Sequence, residues 1–214
     1  MDGTKLQTKV YAGYAKAALR IGLDADQHRP TSASNPIAAG TKLRTLKASF
    51  NAEDMQYSKP NKYGKATWWG LFDGRVTDVG DYLVCAGVTY FIAAQQPILP
   101  ILCVACTNTV TIKRPQQQSG VGAIGYGGNT AATETALMTA WPCSILQAGA
   151  GEKADAILPG DVKTPSWQVL LPHYTGVTLR SGDIITDDIS RRFVLRSAEL
   201  TDLGWRLGAQ QAQT

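Results

Sequence analysis

Charge is scarce in this chain. Only 18% of its 214 residues are Asp, Glu, Lys or Arg, against about 25% in an average soluble domain. The 21 basic and 17 acidic residues leave a net +4, and they are scattered, whereas an electrostatic nucleic-acid site needs a clustered basic face. No sequence-specific nucleic-acid partner is therefore expected. Nowhere does an apolar run approach the roughly 18 residues of a spanning helix, so stable membrane insertion is not expected either. The opening stretch, MDGTKLQTKV, lacks the apolar core of a secretory leader. In a cytosol-like compartment the four cysteines (Cys85, Cys103, Cys106, Cys143) are expected as thiols. Histidine is rarer still: His28 and His173 are the only two, and no Gly-x-Ser-x-Gly elbow accompanies them.

What the chain does have is apolar content, 44%, and enough length to bury roughly 70% of its unfolded surface without disulfides or metal. Its 21 glycines and 10 prolines punctuate short apolar runs, the texture of β-structure. Leu6, Val10, Tyr14, Ala18 and Ile21 recur at helical spacing and predict an N-terminal helix ended by Gly22. Residues 24–40 carry turn chemistry, with Pro30 and Pro36, and residues 41–66 stay polar. The span 1–65 is thus read as a helix and an extended arm, the arm lying on a partner or a neighbouring subunit.

A first β-module is expected over 66–114. Thr67-Trp-Trp-Gly-Leu-Phe72 opens it, Asp73-Gly74 reads as a hairpin turn, and Tyr82–Val84, Thr89–Ile92, Leu99–Ala105 and Thr109–Ile112 follow as strands, with Ala86-Gly87 as another turn. Residues 115–165 are read as a Gly/Gln-rich loop and a short mixed segment, with one short helix within 131–146. A second β-rich run over 166–214 uses Trp167–Leu171, Val177–Leu179, Asp183–Thr186, Arg192–Leu195 and Trp205–Leu207. The fold class is mainly β: two small antiparallel barrel or sandwich-like modules, with an N-terminal helix and long irregular arms, the modules packing as one body.

The two runs overlay at an offset of about 102 residues. Gly80-Asp81-Tyr82-Leu83 falls on Gly182-Asp183-Ile184-Ile185, and Tyr90-Phe91-Ile92 falls on Arg192-Phe193-Val194. A duplicated hairpin unit produces such a match; so do two unrelated hairpins of similar length.

Sites of chemistry are weighed against packing. Gly120-Val-Gly122-Ala-Ile-Gly125 spells the dinucleotide fingerprint, but no strand precedes it and no helix can open in Tyr126-Gly-Gly-Asn-Thr130, so a loop is expected. Cys103-Val-Ala-Cys106 has metal-ligand spacing without the second pair a zinc ribbon needs. In a strand the two sulfurs diverge, so buried core cysteine is the reading. His28 and His173 are expected exposed. Arg191-Arg192 and Lys113-Arg114 are read as strand ends or salt-bridge partners. Glu134, Glu152, Asp155 and Glu199 form no local pair of the kind a glycosidase uses. Trp68-Trp69, Trp141, Trp167 and Trp205 are read as core or interface anchors, with a carbohydrate platform as the other use of such residues. No catalytic, metal or cofactor residue is assigned, and no cofactor is expected.

The stretch Gly182-Asp-Ile-Ile-Thr-Asp-Asp-Ile-Ser-Arg-Arg-Phe-Val-Leu-Arg-Ser-Ala-Glu199 resembles small β-barrel proteins of tailed bacteriophages, of the head–tail joining and tail-completion kind. Lys59–Gly64 with Gly70–Arg75, and Ala93-Ala-Gln-Gln-Pro97, resemble phage and prophage structural proteins too. The resemblance covers about residues 59–125 and 165–209. It implies a non-enzymatic virion protein of the neck or tail, a connector or adaptor that assembles as an oligomer inside the host cytoplasm. Its partners would be further copies of itself and neighbouring neck or tail proteins. Contact residues expected on that reading are Tyr57, Tyr63, Trp68 and Trp69, with Gln116, Gln117, Gln118 and Tyr126 in the loop. An adaptor mounting tail fibres or baseplate parts is the neighbouring alternative. A tail-associated cell-wall hydrolase or a nucleotide-binding enzyme is the alternative of another class.

Overall fold

The computed structural model describes residues 2–51, 64–116, 133–147 and 166–212. Helix α1 (Gly3–Ile21) begins at Asp2, whose carboxylate accepts the Thr4 amide at 3.1 Å as an N-cap. Its inward face buries Tyr11 and Ala18, while Ile21, expected on that face, is exposed. The chain turns at Gly22 and enters six strands: β1 (Leu23–His28), β2 (Lys42–Asn51), β3 (Thr67–Leu71), β4 (Tyr82–Cys85), β5 (Val88–Ala94) and β6 (Ile101–Ala105). All neighbours are antiparallel, in the order β1-β2-β3-β6-β5-β4, and β4 pairs back to β1 to close a barrel. Two residues, Cys106 and Thr107, lead into the second set: β7 (Asn108–Pro115), β8 (Glu134–Gln147), β9 (Ser166–Leu171), β10 (Ile184–Asp187), β11 (Arg192–Thr201) and β12 (Gly204–Gln211). Their order, β7-β8-β9-β12-β11-β10, is that of the first barrel, and β10 closes onto β7.

The repeat is thus one of whole barrels in strand order. Tyr82 opposite Phe91 in the first barrel matches Ile184 opposite Val194 in the second. A bulge sits between Ile92 and Ala94 in β5 and between Leu195 and Ser197 in β11. The offset is 102 residues in β4/β10 and 103 in β5/β11, because a two-residue turn, Ala86-Gly87 at φ 48° and 81°, is replaced by a longer one through Ser190. The gap-free overlay is one residue out of register past that turn: Tyr90, not Phe91, corresponds to Phe193. Inside the barrels, Leu83, Tyr90, Ile92, Ile101 and Cys103 fill the first and Ile185, Phe193, Leu195, Leu207 and Ala209 the second.

Several expectations need correction. Residues 24–28 and 42–51 are strands of the first barrel, so the irregular N-terminal arm shrinks to residues 29–41 among those described. Strand β7 belongs to the second barrel, and the segment read as a short helix is the 14-residue strand β8. Asp73-Gly74 does not join β3 to β4 as a hairpin, since β3 pairs with β2 and β6. Gly74 instead lies against α1: a Cβ there would stand 2.8 Å from the Tyr11 ring. Val177–Leu179 forms no strand.

Candidate interaction site: the seam and the groove between the barrels

Each barrel carries the same polar device at the start of its fourth strand. In the first, Gly80 adopts φ 91° and donates its amide to the Ile92 carbonyl, while Ile92 donates back to Asp81. In the second, Gly182 at φ 90° donates to Leu195, and Leu195 to Asp183. That left-handed backbone is open to glycine at no steric cost. The aspartate turned inward by each loop is buried and meets an arginine from the end of the first strand. Arg29 Nε and Nη2 donate to Asp81 at 2.7 and 2.8 Å; Arg114 Nε and Nη2 donate to Asp183 at 2.8 and 2.9 Å. The amides three residues before, Asp78 and Arg180, close on the same carboxylates at 2.9 and 2.8 Å. Gln27 Nε2 adds a bond to Asp81 at 2.7 Å, at the position where the second barrel has Ile112.

The barrels meet along a dry seam. Tyr82, Phe91, Ala93 and Val104 turn outward from β4, β5 and β6, yet they join the core of the second barrel around Trp141 and Cys143. The Tyr82 hydroxyl donates to the Pro142 carbonyl at 2.8 Å, and its ring meets Trp141 edge-on at 6.1 Å. Burial pushes the Tyr82 phenol well above its ordinary range. Residues 29–41 strap the seam from outside. Trp141 Nε1 donates to the Ala33 carbonyl at 2.8 Å, Ala33 and Asn35 exchange backbone bonds with Thr139, and the Tyr174 hydroxyl donates to the Thr31 carbonyl at 3.3 Å. The arm predicted to lie on a partner lies on the chain's own second barrel. His28, at the end of β1, is buried beside Thr41, with Nδ1 and Oγ1 3.2 Å apart, contrary to the expectation of exposure; burial lowers its pKa. His173 is exposed as expected.

Beside the seam lies an open groove of about 300 Å³. Val79, Gly80 and Ile92 of the first barrel form one wall; Pro172, His173 and the β11–β12 turn (Leu200 to Gly204) form the other. Val79, Leu200 and Leu203 expose their side chains there. His173, Thr201 and Asp202 are its polar groups; behind them the Trp205 ring lies 6.4 Å from that of His173, centroid to centroid, and its buried indole N–H has no hydrogen-bond acceptor among the described residues.

Of the predicted contact residues, Trp68 is half-buried, its ring edge-on to Tyr90 at 6.2 Å inside the first barrel, so it packs rather than projects. Trp69 is half-buried on β3, and Gln116 is exposed just past β7. Tyr57, Tyr63, Gln117, Gln118 and Tyr126 lie outside the described residues, as do Gly120 to Gly125, Glu152 and Asp155. Cys103 points into the first barrel and Cys106 packs against the core of the second, as divergent strand positions require; burial raises both thiols. Among the described residues no group of three or more His, Cys, Asp and Glu is arranged to hold a metal ion. Arg191 and Arg192 pair with Asp187 and Glu134. No groove residue is expected as a contact from sequence, although His173 and Gly80 are named there; the signal that marks the groove is a set of apolar side chains at loop tips, Val79 and Leu203 above all.

The chain matches no protein-family model, no curated protein and no solved structure. What the arrangement offers chemically is contact: an apolar groove with a polar rim on a body fixed by two closed barrels.

Proposed function

We propose that this chain is a non-enzymatic structural component of a tailed phage particle, a neck or tail connector or adaptor that works as an oligomer. The observation that carries the reading is the double-barrel body itself. Two barrels are joined by two residues, locked through Tyr82–Pro142 and strapped by residues 29–41. On its outside this body leaves large apolar side chains exposed, among them Leu19 at 70%, Ile189 at 63% and Leu23 at 59%. Exposed apolar groups on a rigid scaffold suit a protein whose surface is covered by other subunits.

Two measurements test it. Mass in solution by light scattering should exceed that of one chain, and peptides of this protein should appear in purified particles produced by cells that carry the gene. A monomer absent from particles, or a chain that degrades cell-wall material or binds nucleotide, would overturn the reading.

A further inference from the structure

The wall that the second barrel gives to the groove is the counterpart of the place where α1 docks on the first. Strand pairing sets the correspondence: Trp68 opposite Cys103 matches Trp167 opposite Ala209. From there Phe72 falls on Leu171, Gly74 on His173, and the β5–β6 connection around Ile98 on the β11–β12 turn around Leu203. On the first barrel α1 seals both connections. The Tyr11 ring lies over Gly74, and the Gln7 side-chain oxygen accepts the Ile98 amide. On the second barrel the same two connections form one wall of the groove, facing Val79, Gly80 and Ile92 of the first. Among the described residues the second barrel has no helix of its own, and only Cys106 and Thr107 separate β6 from β7.

We propose that the groove receives the C-terminal end of α1 from a second copy of this chain. This rests on the oligomeric reading above and names its contact. The occupant carries what the site needs. Leu19 and Ile21 are exposed at 70% and 52% although they end a docked helix, and Leu23, exposed at 59%, follows at the start of β1; these are the apolar groups offered to Val79, Leu200 and Leu203. Charge agrees as well: Arg20 stands between Leu19 and Ile21, and Asp202 between Thr201 and Leu203. Each chain then offers an α1 edge at one place and a groove at another. That contact is heterologous, and it propagates into a ring when the rotation closes.

Charge reversal with rescue tests it in the full-length chain. Arg20→Asp and Asp202→Arg should each weaken self-association about tenfold or more, and the double variant should recover most of it. Leu203→Asp and Leu19→Asp should give monomers whose circular dichroism matches the parent; both sites are exposed, so folding is retained. A photo-crosslinking residue at position 203 should link to a peptide of α1 from another copy. Oligomers that persist in Leu203→Asp and Leu19→Asp, a crosslink to any other segment or protein, or a parent chain that stays monomeric at its highest soluble concentration each overturn the proposal. Oligomers that persist, or particles that still incorporate the Leu203→Asp chain, leave the adaptor reading standing while this contact falls.

Discussion

Arg29 grips the buried carboxylate of Asp81 with two parallel N–H donors, and 85 residues further on Arg114 grips Asp183 with the same two nitrogens. Each aspartate is only 2% exposed while its arginine keeps about a third of its side chain in solvent. Removing an arginine leaves a buried anion held by backbone amides, and by Gln27 in the first barrel only.

Arg29→Met and Arg114→Met should therefore each destabilise the protein by about 3 kcal/mol, the order seen when one partner of a buried pair is lost. Urea unfolding measures it. The second-barrel variant should suffer more, because Ile112 cannot replace the bond that Gln27 donates to Asp81. Equal values in the two barrels would mean Gln27 contributes nothing.

Cutting the seam should uncouple the halves. Tyr82→Phe loses one buried hydrogen bond and leaves the Pro142 carbonyl unpaired, a cost of about 1–2 kcal/mol. Trp141→Ala empties a fully buried site and loses the bond to Ala33, so about 3–5 kcal/mol is expected. Calorimetry should resolve two transitions in the second variant in place of one.

Gly74→Ala should loosen α1. Its Cβ would meet the Tyr11 ring at 2.8 Å, so either the ring or the helix must shift, at about 1–3 kcal/mol. Limited proteolysis should then cut within residues 3–21 faster than in the parent, with the barrels left whole.

Acidification should weaken the fold through His28. Burial holds its folded pKa below the ordinary value, so the unfolded chain binds the proton first as pH falls. Stability contributed by neutral His28 is complete above about pH 6.5 and declines as pH drops from there toward the folded value. His28→Gln should flatten that part of the stability profile, measured by urea unfolding between about pH 7 and pH 5. An unchanged slope would assign it elsewhere.

The native thiols should react slowly. Burial raises Cys85, Cys103, Cys106 and Cys143 above their ordinary range, and the thiolate is the reactive form. A colorimetric disulfide reagent at neutral pH should titrate four thiols quickly in denaturant and none on the same timescale in the folded protein.

The β4–β5 hairpin could be read from the sequence because its apolar strands flank a two-residue turn that fits only one geometry. Helix α1 could be read from its period. Strands β1 and β2 could not. In β1 the inward Ala25 and Gln27 are small or polar against Asp24 and Asp26 outside, so the alternation that marks a strand has almost no amplitude; in β2 it covers only the second half, Leu46, Ala48 and Phe50 against Lys47 and Ser49, after an exposed Lys42–Thr45. In the first barrel Gln27 is tolerated inside because Asp81 and the Val76 carbonyl accept from it, a tertiary fact with no local trace. The duplication showed only where both copies kept Gly-Asp; elsewhere the shared feature is strand order. The groove escaped notice because its walls come from positions at least 80 residues apart and have no motif in common.

The seam also sets the outward faces of the two barrels apart. The first barrel turns Tyr82, Phe91, Ala93 and Val104 toward its successor. At the matching places the second barrel has Ile184, Val194, Arg196 and Gln210. A third unit spliced on after Gln211 by the same short step would find a guanidinium and an amide where a methyl and an isopropyl group stood before. The outward face of the second barrel thus lacks the carbon that the first presents at those two positions, and an apolar seam there would require repainting both.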